Sequence, residues 1–269
     1  MSAPDSRSPG LPAGDWLRAA ERDLPLVTDL DPLLGPAGGV LVLAPHPDDE
    51  SLGCGGLLAA CAAAGRPARV VVVSDGAGSH PGSRAWPPGR LVALRQAEAR
   101  AAVAALGLDP ACDIAFLGLP DTAVPTEGPA FAAAVDAVLR LAGPAPGTVL
   151  ATWRHDPHRD HAASFAIAAA VVRALPAGTR FYAYPVWGLA FAHPIPGFPL
   201  PPEPRLPAPP RGLRLDIAQH LSAKRRAVAA HASQVTALID DDPGGFVLPP
   251  AALALAVRPF ELFLEAMPG

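Results

Sequence analysis

The chain has 269 residues and a mass of 27.5 kDa; 50% of its residues are hydrophobic and 17% are charged. This composition excludes a disordered or fibrous chain, and the formal net charge of −4 argues against nucleic acid as a partner. The cysteines Cys54, Cys61 and Cys112 form neither a C-x-x-C motif nor a disulfide framework. No apolar run reaches the roughly 18 residues of a membrane span, and residues 1–25 lack the apolar core of a signal peptide. We therefore expect a cytoplasmic protein without a membrane span.

Short apolar runs alternate with Ala-rich segments along the first two thirds of the chain. The runs predict strands over residues 39–44, 69–74, 113–117, 148–153 and 179–184. The segments between them predict helices over 57–64, 91–106, 131–141 and 160–175. Strand–helix–strand units of this length imply parallel strands with right-handed crossovers. We therefore expect an α/β fold, a three-layer sandwich with a mostly parallel sheet.

A proline-rich segment separates this region from the C-terminal part. Nine of the 17 residues from Pro194 to Pro210 are proline, which excludes a helix or a central strand there. We favour a stiff surface loop or fixed wall over a moving lid, because proline limits the conformations available to the chain. Beyond it we expect an edge strand over Leu213–Ile217 and a helix over Gln219–Ala232. The whole chain, 1–269, is expected to form one domain with this loop at 194–210.

Two clusters of polar side chains directly follow predicted strands. The first strand ends in the sequence APHPDDES, residues 44–51, and the fourth in WRHDPHRDH, residues 153–161. Asp48, Asp49 or Asp160 taken alone has a simple explanation, because Asp is common at the start of helices. Open α/β sheets, however, bind ligands beyond the carboxyl ends of their strands. Two such clusters together therefore predict a functional site.

The residue types in these clusters are those of a catalytic metal site. Catalytic zinc takes three His or carboxylate ligands and leaves one position for water. His46 and Asp49 lie three residues apart in one loop and can face a single ion, and His161 can complete the set from the neighbouring strand end. Asp48 would then lie beside the ion as a proton acceptor. His158 lies at helical spacing from His161 and could polarise a carbonyl group or protonate a leaving amine.

These motifs resemble the zinc-dependent de-N-acetylases related to N-acetylglucosaminyl-phosphatidylinositol deacetylase, the LmbE-like family. The resemblance covers most of the chain. It also includes the segments LRQAEA (94–99), FLGLPD (116–121) and KRRAVAAHASQ (224–234). It implies a Rossmann-like fold, a mononuclear zinc ion and hydrolysis of an acetamide on an amino sugar or a similar glycoconjugate.

Position by position, the resemblance also implies roles for six residues. It implies His46, Asp49 and His161 as zinc ligands and Asp48 as general base. It implies His158 as an oxyanion-stabilising or acid histidine and Arg95 as a substrate-contacting residue. Because N and O ligands discriminate weakly among metals, Fe²⁺ or another divalent ion could replace zinc.

One position departs from the family pattern. Some members carry a tyrosine five residues before the last zinc-binding histidine, where this chain has Asp156. An ionised carboxylate cannot donate the same hydrogen bond, so either another group does so or the substrate differs. His231, in the predicted late helix, is expected to be structural and hydrogen-bonded near Gln234.

The function favoured by the sequence is that of a metal-dependent hydrolase. It would remove an N-acetyl or other N-acyl group from an amino sugar, using metal-activated water with Asp48 as base. Two alternatives remain open at this point: a 2-His-1-carboxylate iron oxygenase using His46, Asp48 and His161, or a non-catalytic protein that binds sugar or metal. Dinucleotide binding through the glycines at 53–56 is disfavoured, since three acidic residues precede that helix.

Overall fold

A computed structural model describes residues 10–36, 38–143, 146–207 and 209–268. Its strands are β1 (Leu11–Pro12), β2 (Leu26–Val27), β3 (Val40–Ala44), β4 (Ala68–Ser74), β5 (Ile114–Leu119), β6 (Thr148–Thr152), β7 (Arg180–Tyr184), β8 (Arg205–Leu206), β9 (Gly212–Asp216) and β10 (Phe260–Glu265). Its α-helices are α1 (Ala13–Asp23), α2 (Asp31–Leu34), α3 (Asp49–Ala63), α4 (Pro88–Ala105), α5 (Gly128–Leu141), α6 (Arg159–Ala174), α7 (Leu189–Ala192), α8 (Leu221–Ala230), α9 (Ala232–Val235) and α10 (Pro250–Ala256).

The central sheet has eight strands in the order β2-β9-β10-β7-β6-β3-β4-β5. The five strands predicted from the sequence are β3 to β7, which pair in parallel with one another. The prediction of a mostly parallel sheet is therefore confirmed. The direction in which the strands are added reverses between β3 and β6, and in open α/β sheets this switch point opens the crevice that binds ligands.

Alternate residues of β3 pack on opposite faces of the sheet. Val40 and Val42 belong to the core that α3, α4 and α8 cover. Leu41 and Leu43 belong to the separate core that α5 and α6 cover. A strand covered on both faces explains why the sequence here is continuously apolar instead of alternating. The predicted three-layer arrangement is confirmed.

The C-terminal part differs from the prediction in three ways. The strand expected at the edge over 213–217 is β9, which pairs with both β2 and β10, so the two residues of β2 form the edge. The helix expected over 219–232 is divided into a 3-10 turn (Ala218–His220), α8 and α9, with His231 between the two helices. The prediction assigned nothing to β10, which inserts antiparallel between β7 and β9. Non-local pairing, which local periodicity does not reveal, places β10 there.

Helix α3 begins eight residues earlier than predicted because its glycines lower helix propensity but improve packing. A Cβ atom at Gly53 would lie 2.2 Å from the ring of Tyr184, and one at Gly56 would lie 2.4 Å from Ile217. These glycines let α3 approach β7 and the segment after β9. Close packing thus accounts for the glycine run without a dinucleotide.

The proline-rich loop at 194–210 is irregular apart from β8, which pairs with β1. Ala208 of this loop, residues 1–9 and Gly269 lie outside the described residues, so the single-domain assignment to 1–269 stays a prediction. None of the helices within the described ranges combines the length and apolar character that crossing a membrane requires.

Candidate active site

The two polar clusters meet at the switch point of the sheet. The loop after β3 carries His46 into the start of α3, and the loop after β6 carries His158 and His161 into the start of α6. The ring centroid of His46 lies 4.6 Å from that of His158 and 5.4 Å from that of His161. The structure thus brings together all three predicted histidines.

Asp49 lies between His46 and His161. Its Oδ2 atom is 3.3 Å from Nδ1 of His46 and 3.4 Å from Nε2 of His161. A tetrahedral centre with bonds of about 2.0–2.1 Å separates neighbouring ligand atoms by about 3.3–3.4 Å. The separations of Asp49 Oδ2 from the two imidazole nitrogens are therefore those expected between neighbouring zinc ligands.

Carboxylates outside the predicted ligand set orient both imidazole rings. Nε2 of His46 faces Asp121 Oδ1 at 3.2 Å and Asp160 Oδ2 at 3.3 Å. Nδ1 of His161 lies 2.9 Å from Asp156 Oδ2. Because ionised carboxylates only accept hydrogen bonds, these ring nitrogens carry the protons. The remaining nitrogens, Nδ1 of His46 and Nε2 of His161, then direct their lone pairs toward Asp49.

This arrangement fits a bound cation. When both rings are neutral, two imidazole lone pairs face the same carboxylate oxygen, and acceptors alone cannot satisfy one another. His161 Nε2 is fully buried and has no hydrogen-bond partner among the residues that the structure describes. The ligand atoms of His46, His158 and His161 lie within 4.8 Å of one another, so His158 is also within reach of an ion. The donor set of imidazole and carboxylate suits a divalent transition metal.

The electrostatics of these residues also favour positive charge. Burial by itself would lower the pKa of His46 and His161, but the surrounding carboxylates outweigh it. Hydrogen bonds to three carboxylates raise the pKa of His46 well above its usual value. The charges of Asp49 and Asp156 raise the pKa of His161 to about 9. A cation at this point is therefore stabilised by the protein itself.

Asp48 lies beside the three predicted ligands. Its carboxylate makes no hydrogen bond or ion pair with either imidazole among the described residues, and its Oδ2 accepts from Nη2 of Arg95 at 3.3 Å. Burial raises the pKa of Asp48 to about 6, against the opposing effect of Arg95. Asp48 occupies the position before α3, but its side chain caps no helix N–H. Helix capping therefore does not explain this residue, and its carboxylate lines the open cavity.

Arg95 is buried instead of lying on a solvated helix face. Its guanidinium donates to the carbonyl oxygens of Gly76 and Pro47 as well as to Asp48. Glu98, three residues further along α4, accepts from the backbone N–H and the hydroxyl group of Ser233. Arg95 also lines the cavity, so contact with a substrate stays a prediction. The side-chain contact of Arg95 that the structure shows directly is the one with Asp48.

His158 caps helix α6. Its Nδ1 accepts from the backbone N–H of Asp160 at 3.2 Å, so a neutral ring carries its proton on Nε2. Burial and the nearby charges of His46 and His161 lower the pKa of His158 to about 4. His158 is therefore a hydrogen-bond donor at neutral pH. Of the two roles implied by the resemblance, this favours stabilising an oxyanion over acting as an acid.

Asp156, at the position of the family tyrosine, has a different task. Its Oδ2 accepts from His161 Nδ1 and from the backbone N–H groups of Val186 and Trp187, and its Oδ1 accepts from Gly188. The side chain is fully buried and faces away from the cavity. Asp156 therefore fixes the orientation of His161 and does not replace the tyrosine.

A link that the sequence analysis missed connects His231 to the backbone of Asp48. Nε2 of His231 lies 2.9 Å from Oε1 of Glu50, and Oε2 of Glu50 accepts from the N–H of Asp48 at 3.0 Å. Asp48 has a backbone φ of 159° and ψ of −28°, a conformation that costs energy in an L residue. The buried carboxylate of Glu50 holds it there. His231 is structural as predicted, but its side chain contacts Glu50 and Ser51 instead of Gln234.

We expect the substitution His231→Ala to lower kcat by about 10–100-fold, the usual range for residues that orient catalytic groups, with little change in KM. Without the imidazole, Glu50 loses its partner and holds the Asp48 backbone less firmly. Steady-state kinetics with metal analysis would measure this. Ser233→Ala is the matched control, since Ser233 follows in the same segment but contacts Glu98. Equal losses of kcat in both variants would contradict the link.

With this geometry in place, comparison with known proteins becomes informative. Residues 41–172 match the family model for PIG-L, the GlcNAc-PI de-N-acetylases. The match spans 132 of the 269 residues, just under half of the chain. The segment runs from β3 through most of α6 and contains all six residues to which the sequence analysis gave roles. The resemblance inferred from the sequence is confirmed.

Several solved structures share the fold of this chain. A conserved protein from Thermus thermophilus is 25% identical, with a TM-score of 0.60, over 86% of this chain and 96% of that one. N,N'-diacetylchitobiose deacetylase from Pyrococcus horikoshii is 20% identical, with a TM-score of 0.58, over 80% of this chain and 75% of that one. GalB, the 4-carboxy-2-hydroxymuconate hydratase from Pseudomonas putida, is 20% identical, with a TM-score of 0.54, over 73% and 80%.

A search of curated proteins finds no significant match. The structural neighbours include a hydratase as well as a deacetylase, so the fold by itself does not determine the reaction. The residues of the site, and not the fold, indicate the reaction.

Proposed function

We propose that this protein is a metal-dependent N-deacetylase that hydrolyses the N-acetyl, or another N-acyl, group of an amino sugar or other sugar-containing substrate. The observation that carries the proposal is the position of Asp49 Oδ2, which lies 3.3 Å from His46 Nδ1 and 3.4 Å from His161 Nε2, the separations of neighbouring zinc ligands. These atoms would hold the ion. The match of residues 41–172 to the GlcNAc-PI de-N-acetylase family model supports the same reaction class.

The two alternatives fit the geometry less well. The iron-oxygenase triad requires Asp48 as the carboxylate ligand, whereas Asp49 is the residue that lies between the two imidazoles. Asp48 instead contacts Arg95. A protein that only binds sugar or metal has no need for a buried carboxylate held in a strained backbone conformation beside the ligands. Both features suit a general base.

A bound zinc ion would supply Lewis-acid activation of water and of the amide carbonyl group. Asp48 accepts a proton from the attacking water, while the Arg95 guanidinium keeps its carboxylate in place. The water oxygen bonds to the acyl carbon, and the negative charge that develops on the carbonyl oxygen is stabilised by the Nε2–H of His158. The C–N bond then breaks, and the proton held by Asp48 passes to the leaving nitrogen. The products are a carboxylate and a free amine.

We expect the purified protein to hold about one divalent transition-metal ion per chain, as a three-ligand site would. It should release acetate and free amine in equal amounts from N-acetylglucosamine, its methyl glycoside or N,N'-diacetylchitobiose. Metal analysis, together with assays of acetate and amine, would check both expectations.

A chelator should remove the ion and abolish hydrolysis, and Zn²⁺ should restore it. Mg²⁺ serves as the control and should not restore activity, because it prefers all-oxygen ligands. Full hydrolytic activity in protein shown to be metal-free would refute the proposal. So would a metal-loaded protein that cleaves no N-acyl amino sugar.

A further inference from the structure

The candidate active site opens into a cavity of about 610 Å³. This is within the usual range for sites that bind drug-sized ligands, about 300–1,000 Å³. The predicted ligands His46 and Asp49 and the predicted base Asp48 line its polar end, together with Arg95, Asp121 and His158. An acetamide and one sugar ring leave a large part of such a cavity unfilled.

The opposite end of the cavity is apolar. We define the apolar wall as the six lining residues Trp187, Pro196, Phe198, Pro199, Phe246 and Val247. The rings of Trp187 and Phe198 are stacked, with centroids 4.8 Å apart and planes at 15°. Phe246 meets Trp187 edge-on at 5.5 Å. Trp187 thus contacts both Phe198 and Phe246, and the three half-buried rings form an apolar surface beside the site.

The apolar wall carries no charged group. Among the described residues that line the cavity, every ionisable side chain belongs to the polar end. Arg95, the cation in this set, is engaged by Asp48 and two backbone carbonyl groups. No cationic side chain is therefore placed along the wall to pair with a phosphate or carboxylate of a ligand.

The wall is held rigidly in relation to the metal ligands. The N–H of Trp187 donates to Asp156 Oδ2, the atom that also accepts from His161. The N–H of Phe246 donates to the carbonyl oxygen of Ser79, and that of Phe198 to the carbonyl oxygen of Ile195. Preorganised apolar surface loses little entropy when it binds a ligand.

The wall lies outside the segment that matches the family model. Its residues follow β7, belong to the proline-rich loop or precede α10, and all come after residue 172. The segment that matches the family model therefore does not determine what this wall binds.

We propose that the apolar wall binds an uncharged aryl or alkyl group covalently attached to the N-acyl amino sugar. This inference rests on the proposed function, which places the scissile amide at the polar end. The apolar group extends from there either as the acyl chain or as the aglycone of the sugar. In both cases its chemistry is the same: uncharged, apolar and large enough to cover the rings of Trp187, Phe198 and Phe246. A phosphate-linked aglycone is excluded from this wall by the absence of a cation along it.

A substrate series on the zinc-loaded enzyme tests the proposal and distinguishes the two sources. The aglycone arm compares the methyl, hexyl and phenyl β-glycosides of N-acetylglucosamine with its 1-phosphate and with N,N'-diacetylchitobiose. The acyl arm compares N-acetylglucosamine with N-hexanoylglucosamine. We expect kcat/KM to rise tenfold or more in one arm, since each buried methylene contributes about fourfold. The 1-phosphate should be no better than the methyl glycoside.

Variants of the wall then locate the effect. Phe198→Ala and Phe246→Ala should each remove most of the gain from the hexyl, phenyl or hexanoyl group. Trp86→Ala is the matched control, since this half-buried aromatic residue lies outside the cavity lining. It should preserve the gain.

A binding measurement keeps the inference separate from the proposed function. Calorimetry with hexyl 2-amino-2-deoxy-β-D-glucopyranoside and N-hexanoylglucosamine, with glucosamine as the reference, should show at least tenfold tighter binding for one of the two. Hydrolysis of small substrates without any gain in either arm would overturn the inference and leave the proposed function standing. An equal gain from chitobiose would also overturn it, because the wall would then be a sugar platform. Tight binding of the apolar probe without hydrolysis of any substrate would support the wall and refute the proposed function.

Discussion

Replacing Asp48 by Ala is expected to leave the metal bound and to lower kcat by about 10²–10⁴-fold, the range for loss of a general base. Replacing Asp49 by Ala is expected to lower metal occupancy and activity together, because it removes the atom shared by both imidazoles. The two residues are adjacent and chemically identical, so only their geometry predicts different outcomes. Metal analysis and steady-state kinetics on the same preparations would measure both effects.

Asp48→Asn is the control for this pair, because it preserves the shape beside Arg95 and should reproduce the loss of kcat with the metal retained. One result would reverse the assignment: a metal-free Asp48→Ala variant alongside a loaded and active Asp49→Ala variant. The triad of His46, Asp48 and His161 would then become the ligand set, and the oxygenase alternative would return.

Replacing Lys224 by Met is expected to lower the free energy of unfolding by about 3–5 kcal/mol, the cost of leaving one partner of a buried ion pair uncompensated. Lys224 is 1% exposed, and its Nζ lies 2.7 Å from Oε1 of Glu261. The same carboxylate accepts from the N–H groups of Gly56 and Leu57 inside α3. The pair therefore joins α8, β10 and α3 beneath the glycine-rich turn of that helix. Urea unfolding would measure the change as a lower midpoint at unchanged slope.

The double variant Lys224→Met with Glu261→Gln should be less destabilised than the sum of the single variants, because it leaves no buried charge. Arg22→Met is a matched control from an exposed ion pair with Asp23, where solvent screening leaves little stability to lose. If the Lys224 variant lost no more stability than the Arg22 variant, the buried pair would not anchor α3.

The parallel half of the fold was predictable because its signals are local. Strands β3 to β7 are buried runs bounded by turns, and their predicted limits differ from the observed ones by at most two residues. The start of α3 was misplaced because helix propensity penalises glycine, whereas packing against Tyr184 and Ile217 requires it. Strand β10 was missed because its place in the sheet depends on pairing with residues distant in sequence.

The residues of the candidate site likewise divide into those with a local sequence signal and those without one. His46, Asp49, His158 and His161 were found because each lies within a short motif at a strand end. The carboxylates that orient the ligands lie in other loops or in positions with simpler explanations. Asp121 follows β5, and its contact with His46 at 3.2 Å becomes visible only in three dimensions. The sequence signal that was available for Asp121 is a carboxylate shortly after the end of a strand.

Asp156 joins the predicted metal ligand His161 to the backbone of the apolar wall through hydrogen bonds. One carboxylate oxygen receives both the ring N–H of His161 and the backbone N–H of Trp187, so a force that reorients either donor is felt by the other. If the two sites are coupled, the coupling is reciprocal. A bound ion then changes the protein's affinity for an apolar ligand by the same factor by which the ligand changes the protein's affinity for the ion. An occupied wall would thus alter retention of the metal, and dissociation of the ion measured with and without hexyl glycoside reports the coupling free energy directly.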